Sequence, residues 1–195
     1  KQDVRVLHLL NHTSGVSYLD ADLKPGDVND WDKMVAAIEA TTLNWEAGSQ
    51  LGYQNMTQGY LLGELCAQVN GGRRLAQCLK EDLAGPLNLD WHFAVPDDTM
   101  PRLATVYQPD PNVFTRIIAE NPDSPFSMSM KGRDPNETYN SKLWRKAENG
   151  AGTSHTNARS MARLYGALAR GGSLDGVQVL SYEALQLAQN ETVRD

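Results

Sequence analysis

The chain has only two cysteines, Cys66 and Cys78, in 195 residues, too few for a disulfide framework or a cysteine-rich zinc site. Both lie in helical, apolar patterns and read as small buried thiols. Basic residues are not clustered: 18 Lys and Arg stand against 24 Asp and Glu, for a formal net charge of −6. A nucleic-acid surface needs a basic stripe that releases counterions from phosphates, so that partner class is excluded. No apolar run is long enough for a transmembrane helix, and no signal-peptide pattern opens the chain. The first residues, Lys1 to Leu10, read as the middle of a domain. A soluble chain is expected, with its compartment left open. Internal repeats and low-complexity tracts are missing as well.

Three motifs of site chemistry are also absent. His8 and His12 have the spacing of two zinc ligands on a helix, but Leu9 stands where a His-Glu-x-x-His motif has its glutamate. A structural or capping role is expected for both, and no metal site. The turn from Asn149 to Thr156 is rich in glycine, yet it fits neither a Walker loop nor G-x-G-x-x-G after a strand. Tight packing is its expected use.

What is present is a 41% apolar composition, enough for a real core in one domain or one lobe of a larger protein. The organising stretch is Trp45 to Gly72. Gly48, Ser49 and Gly52 make a loop, Asn55 or Thr57 is placed to cap a helix, and the helix runs to about Asn70. Tyr60, Leu61, Gly63, Leu65, Cys66 and Val69 predict burial on most sides, and Gly71 and Gly72 end the helix. Tyr53 and Asn55, in the loop before the positive end of that helix, are rigidly placed polar groups.

Elsewhere, Asp3 is expected to cap a short helix with Val4, Leu7 and Leu10 on one face, and Asn29 or Asp30 a helix over 31–40. Further helices are predicted over 74–84, 113–120 with Asn112 as cap, 141–146, 157–170 with Met161, Leu164, Tyr165 and Leu168 buried, and 182–189 capped by Ser181. Trp91 to Val95 suits a short strand, and 174–177 a tight turn. The stretch 121–140 is dominated by proline, serine and glycine and reads as a lid or a wrapped connection.

Four landmarks occur in order: Leu9-Leu10-Asn11-His12-Thr13-Ser14-Gly15, then Tyr53-Gln54-Asn55 leading to Gly59-Tyr60-Leu61-Leu62-Gly63, then Gly85-Pro86-Leu87-Asn88-Leu89, then Asn149 to Leu168. Together they resemble the serine β-lactamase-like superfamily, in particular its class C-like esterases and D-alanyl-D-alanine carboxypeptidases. The resemblance implies a mainly α chain: the helical lobe of the β-lactamase/transpeptidase-like fold, which is α+β when complete, with little of the central sheet here. It makes residues 1–195 a single helical domain or lobe, expected to be an internal portion of a larger domain.

By the same resemblance Tyr53 is the proton-relaying, catalytic tyrosine and Asn55 the substrate-contacting amide. A tyrosine whose proton is drawn off by neighbouring cations can act as base toward a serine hydroxyl, although a free phenol titrates at about 10. The implied partner is a small-molecule ester, β-lactam or peptide substrate, with no cofactor, and the rest of the parent hydrolase domain is needed. The departures are clear: no lysine lies three residues after any serine, Lys24-Pro25-Gly26 precedes the tyrosine and sits in a turn, and no G-x-S-x-G elbow is present. The chain alone is therefore expected to be inactive. The alternatives are a non-catalytic binding module that retains the helical lobe, and a metal-dependent hydrolase built on His8, His12 or His155.

Overall fold

A computed structural model describes residues 1–108 and 113–192. In chain order the helices are α1 (Val6–Leu10), α2 (Trp31–Ala40), α3 (Thr57–Val69), α4 (Leu75–Cys78), α5 (Val113–Glu120), α6 (Pro125–Ser129), α7 (Lys142–Lys146), α8 (Ala158–Ala169) and α9 (Tyr182–Ala188). Strand content among the described residues is limited to two antiparallel pairs. Strand β1 (Trp91–His92) pairs with β2 (His155–Thr156), placing Trp91 opposite Thr156 and His92 opposite His155. Strands β3 (Ser173–Leu174) and β4 (Val177–Gln178) form a hairpin. Its turn residues Asp175 and Gly176 both have positive φ, 51° and 80°, as a two-residue hairpin turn requires.

Local side-chain caps decide most helix starts. Asp30 accepts from the Lys33 amide, Asn157 from Ser160, Ser141 from Trp144 and Ser181 from Ala184. At the other ends, the Gly72 and Gly172 amides reach back to the Ala67 and Ala167 carbonyls at 2.8 and 2.9 Å, closing α3 and α8 with glycines in the left-handed region. Helix α4 widens into a π-type turn over Leu79–Ala84, with the Gly85 amide bonded to the Lys80 carbonyl five residues back. The expected Asn112 cap of α5 lies outside the described residues.

The larger core gathers Val16, Leu19, Val28, Met34, Ile38, Met56 and Tyr60 between α2, α3 and the loops before them. Each such buried side chain contributes about 1.5–3 kcal/mol relative to exposure. The Trp31 ring lies 5.0 Å from that of Tyr60, donates through its indole N–H to Glu64, and carries the Arg74 guanidinium 4.7 Å above it. Gly63 is what admits this packing, since a Cβ there would lie 2.5 Å from the Trp31 ring. A second core joins Ala84, Leu87 and Leu89 to Trp91, Leu164 and Leu174.

Several expectations about caps, buried faces and the strand at Trp91 are corrected. Arg5, not Asp3, precedes α1, and its amide donates to His8 Nδ1. In that helix Leu9 is buried while Val6, Leu7 and Leu10 are about half exposed, because only the Leu9 side is covered by α3. On α8 the covered stripe runs through Ser160 and Ala167, leaving Met161 and Tyr165 exposed, and on α3 Val69 is exposed too. The strand at Trp91 stops after His92: Ala94 turns to φ 46°, and the amides of Ala94 and Val95 go instead to the carbonyls of Ala147 and Arg145.

The 121–140 stretch is a wrapped connection. It contains α6, capped by Ser124 with Pro125 in the first turn, and then the Gly132 carbonyl accepts from the amides of Gly26 and Val28. Asn29 adds a side-chain bond to Glu137 at 3.1 Å.

Candidate active site

The loop ahead of α3 is held from behind by the turn that ends α1. His12 has φ 61° and Gly15 φ 79°, so the chain doubles back there. A Cβ on Gly15 would lie 2.3 Å from the Trp45 carbonyl oxygen, and only glycine permits both that φ and that approach. The carbonyls of the turn then take the loop's amides: Gly48 bonds to Thr13 and Gly52 to His12, at 2.8 and 2.9 Å. Ser17 donates its hydroxyl to the Tyr53 carbonyl at 3.0 Å, and Thr57 donates to Val16 at 2.6 Å. The Gln54 amide donates to His12 Nδ1 at 3.2 Å. Tyr53 and Asn55 thus stand on a backbone anchored at every neighbouring residue.

Neither Asn55 nor Thr57 caps α3, contrary to the sequence expectation. Met56 is the residue at the cap and makes no side-chain bond to the first turn. Thr57 is spent on Val16, and the Asn55 amide donates to the thioether of Met130. A thioether is a weak acceptor, so the Asn55 donor is readily given up to a stronger one. Tyr53 is 60% exposed, its ring 4.8 Å from that of His12.

Tyr53 and Asn55 share the wall of a cleft of about 340 Å³. Much of its remaining lining is aromatic and comes from far along the chain: Phe126, Met130, Arg133, Tyr139 and Trp144. Phe114 on α5 stacks on Phe126 at 5.8 Å, and the Arg133 guanidinium lies 5.1 Å over Trp144 and 5.7 Å over Tyr139. Beyond Phe114 and Met130 the cleft opens into a wider groove of about 540 Å³. Sequence reasoning did not single out these lining residues. The available signal was Phe126, Met130 and Tyr139 set in the proline- and serine-rich stretch 121–140, with Trp144 in the helix expected over 141–146.

The glycine-rich turn forms the cleft's remaining edge through Ala151 and Gly152. Asn149 folds the turn by accepting from the Ala151 amide at 2.7 Å, and its own amide group donates to the Met56 carbonyl. The turn lies so close to α3 that a Cβ on Gly59 would come within 1.9 Å of Asn149 Oδ1. From the turn's side Gly150 serves the same packing, since a Cβ there would lie 3.1 Å from Leu75 and 3.6 Å from the Gly59 backbone.

The histidines are drawn into separate local bonds. His8 Nδ1 takes the Arg5 amide, His12 Nδ1 takes that of Gln54, and His155 Nδ1 lies 3.0 Å from the Thr153 carbonyl across from His92. Among the described residues no three His, Cys, Asp or Glu side chains gather as metal ligands. Burial pushes the pKa of His12 down, which favours the neutral ring that can accept at Nδ1.

A mainly helical chain, with only two short strand pairs among its described residues, matches the helical part of a β-lactamase/penicillin-binding-type fold. The chain belongs to the beta-lactamase family, whose model matches residues 1–194. It is similar to the esterase/beta-lactamase LipL of Mycobacterium tuberculosis, at 30% identity over 197 residues, covering 94% of this chain and 44% of that protein. Among solved structures it resembles a penicillin-binding protein homolog from Caulobacter crescentus, with a TM-score of 0.81 and 31% identity over 98% of this chain and 50% of that one. It also resembles a family VIII carboxylesterase, with a TM-score of 0.79 and 27% identity over 99% of this chain and 50% of that one. The chain spans about half the length of these relatives.

Proposed function

We propose that residues 1–195 are the helical lobe of a larger serine hydrolase domain and supply the Tyr53 and Asn55 side of a site that hydrolyses an ester or amide through an acyl-enzyme. The observation that carries this reading is the placement of Tyr53 and Asn55 together on the wall of one apolar cleft. The names of the relatives, an esterase/beta-lactamase and a carboxylesterase, support it.

In this mechanism a serine from a Ser-x-x-Lys motif outside these residues attacks the substrate carbonyl. Tyr53 takes the serine proton and passes it to the leaving oxygen or nitrogen. Asn55 exchanges its thioether partner for a substrate carbonyl or amide, fixing the acyl group in register. The aromatic wall takes the apolar part of the substrate. Water then displaces the serine by the reverse route, and Tyr53 again moves the proton. No step calls for a cofactor.

The second reading, a binding module that keeps the lobe and the cleft without hydrolysis, is favoured by one observation: no serine of this sequence has a lysine three positions on. A fluorophosphonate probe separates the two. The 195-residue chain alone should remain unlabelled, and the full-length protein should be labelled stoichiometrically on one serine that precedes a lysine by three positions. A full-length protein that takes no label and cleaves no activated ester would leave the binding module as the function.

A further inference from the structure

Cys66, near the end of α3, and Cys78, the last residue of α4, bring their sulfurs to 3.6 Å. They are the only cysteines of the sequence, both are free thiols, and each belongs to a different helix. The connection between them reverses at Gly71 and Gly72, whose φ values of 66° and 86° make the turn tight. Hydrogen bonds hold the pair in this arrangement. Asn70 donates its amide to Cys66 Sγ at 3.3 Å, the Cys66 thiol points at Cys78 Sγ, and the Cys78 thiol donates to the Arg73 carbonyl at 3.4 Å. A disulfide needs the sulfurs at about 2.05 Å, a closure of about 1.5 Å that side-chain rotation at two residues can supply.

We propose that Cys66 and Cys78 form a redox pair that closes to an intramolecular disulfide across the α3–α4 turn when the protein meets a hydroperoxide. Cys66 is half-buried and Cys78 buried, so the oxidant reaches Cys66 first. The Cys66 sulfur, as thiolate, attacks the outer peroxide oxygen. The O–O bond breaks, the other oxygen leaves with a proton as alcohol or water, and Cys66 becomes a sulfenic acid. The Cys78 sulfur then attacks the Cys66 sulfur. The S–S bond forms, the S–O bond breaks, and the hydroxyl leaves as water with the Cys78 proton. Two electrons pass from the thiols to the peroxide, and a dithiol reductant reverses the change. Burial pushes the Cys78 thiol up in pKa, which suits it to wait as the resolving sulfur. The bond would tie down the end of α3 remote from Tyr53, so it acts on stability and leaves the cleft open.

Arg73 and Arg74 lie between the cysteines, so trypsin releases them on separate peptides, Met34–Arg73 and Leu75–Lys80. The purified native protein is treated with hydrogen peroxide, alkylated, digested without reductant and subjected to mass spectrometry. The expected product is the two peptides joined, lighter by two hydrogens than their sum, and separated again by dithiothreitol. The oxidised protein should melt about 5 °C higher than the reduced one, as expected when a short loop is closed in a protein of this size. Cys66→Ser and Cys78→Ser should each abolish both the joined peptide and the shift. Recovery of both peptides singly alkylated after native oxidation would overturn the proposal, as would linkage found only between two protein molecules on a non-reducing gel. Because the peptide mapping uses the unsubstituted protein, it decides between these outcomes even if a serine variant fails to fold.

Discussion

The ring of His12 lies 4.8 Å from the ring of Tyr53, and its Nδ1 accepts the amide of Gln54, so one side chain holds both the face of the tyrosine and the backbone beside it. The amide is a donor, so the bonded nitrogen must be unprotonated. The remaining ring proton is therefore placed on Nε2.

The burial of two histidines gives a pH dependence. Burial lowers the pKa of His12 and of His155 from 6.5 in the folded state, so the unfolded chain binds protons more readily on these rings. Their contribution to stability is fully present above about pH 6.5 and is lost as pH falls below it toward the folded-state values. The urea midpoint should fall between pH 7 and pH 5, and His12→Gln should flatten part of that slope. A midpoint that rises as the pH is lowered over this range would contradict the assignment.

If the full-length protein hydrolyses esters as proposed, replacing Tyr53 by Phe in it should lower turnover on the order of a hundredfold, the usual scale for a lost acid–base group. The side chain is 60% exposed, and the loop is anchored through the Tyr53 carbonyl rather than its hydroxyl. The melting temperature should therefore hardly change. Full turnover with an earlier melt would mark Tyr53 as merely structural.

Two glycine substitutions on the helices should act in opposite directions. Gly59→Ala drives a methyl to within 1.9 Å of Asn149 Oδ1 and 2.6 Å of the Ala151 amide, and should cost on the order of 2–3 kcal/mol. Gly166→Ala, on α8, meets nothing within 4 Å and should stabilise by roughly 0.5–1 kcal/mol through helix propensity. Chemical denaturation of the pair measures both.

The aromatic wall makes a separate prediction about the cleft. On the proposed hydrolytic activity, Phe126→Ala in the full-length protein should raise KM for esters with a bulky acyl group roughly tenfold, and change that for an acetyl ester little, since uniform binding to the wall is what it removes. Equal changes for both esters would place the acyl group elsewhere.

Helix positions were legible in the sequence because their signals are local. A cap such as Asp30, Asn157 or Ser181 bonds an amide three residues on, and Gly72 and Gly172 close their helices within one turn. The ordered landmarks likewise pointed to the family, whose model matches residues 1–194. Tertiary structure alone decided which side of each helix is covered. Periodicity gives an apolar direction, whereas coverage depends on what packs there, so α1 buries Leu9 and α8 buries Ser160 and Ala167. It also decided the capping of α3, where Thr57 and Asn55 bond Val16 and Met130, residues 41 and 75 positions away. The cleft belongs to the same category. Its wall assembles side chains from the loop before α3 and from residues beyond 113, and no local pattern encodes a contact that forms only when distant segments close on one another.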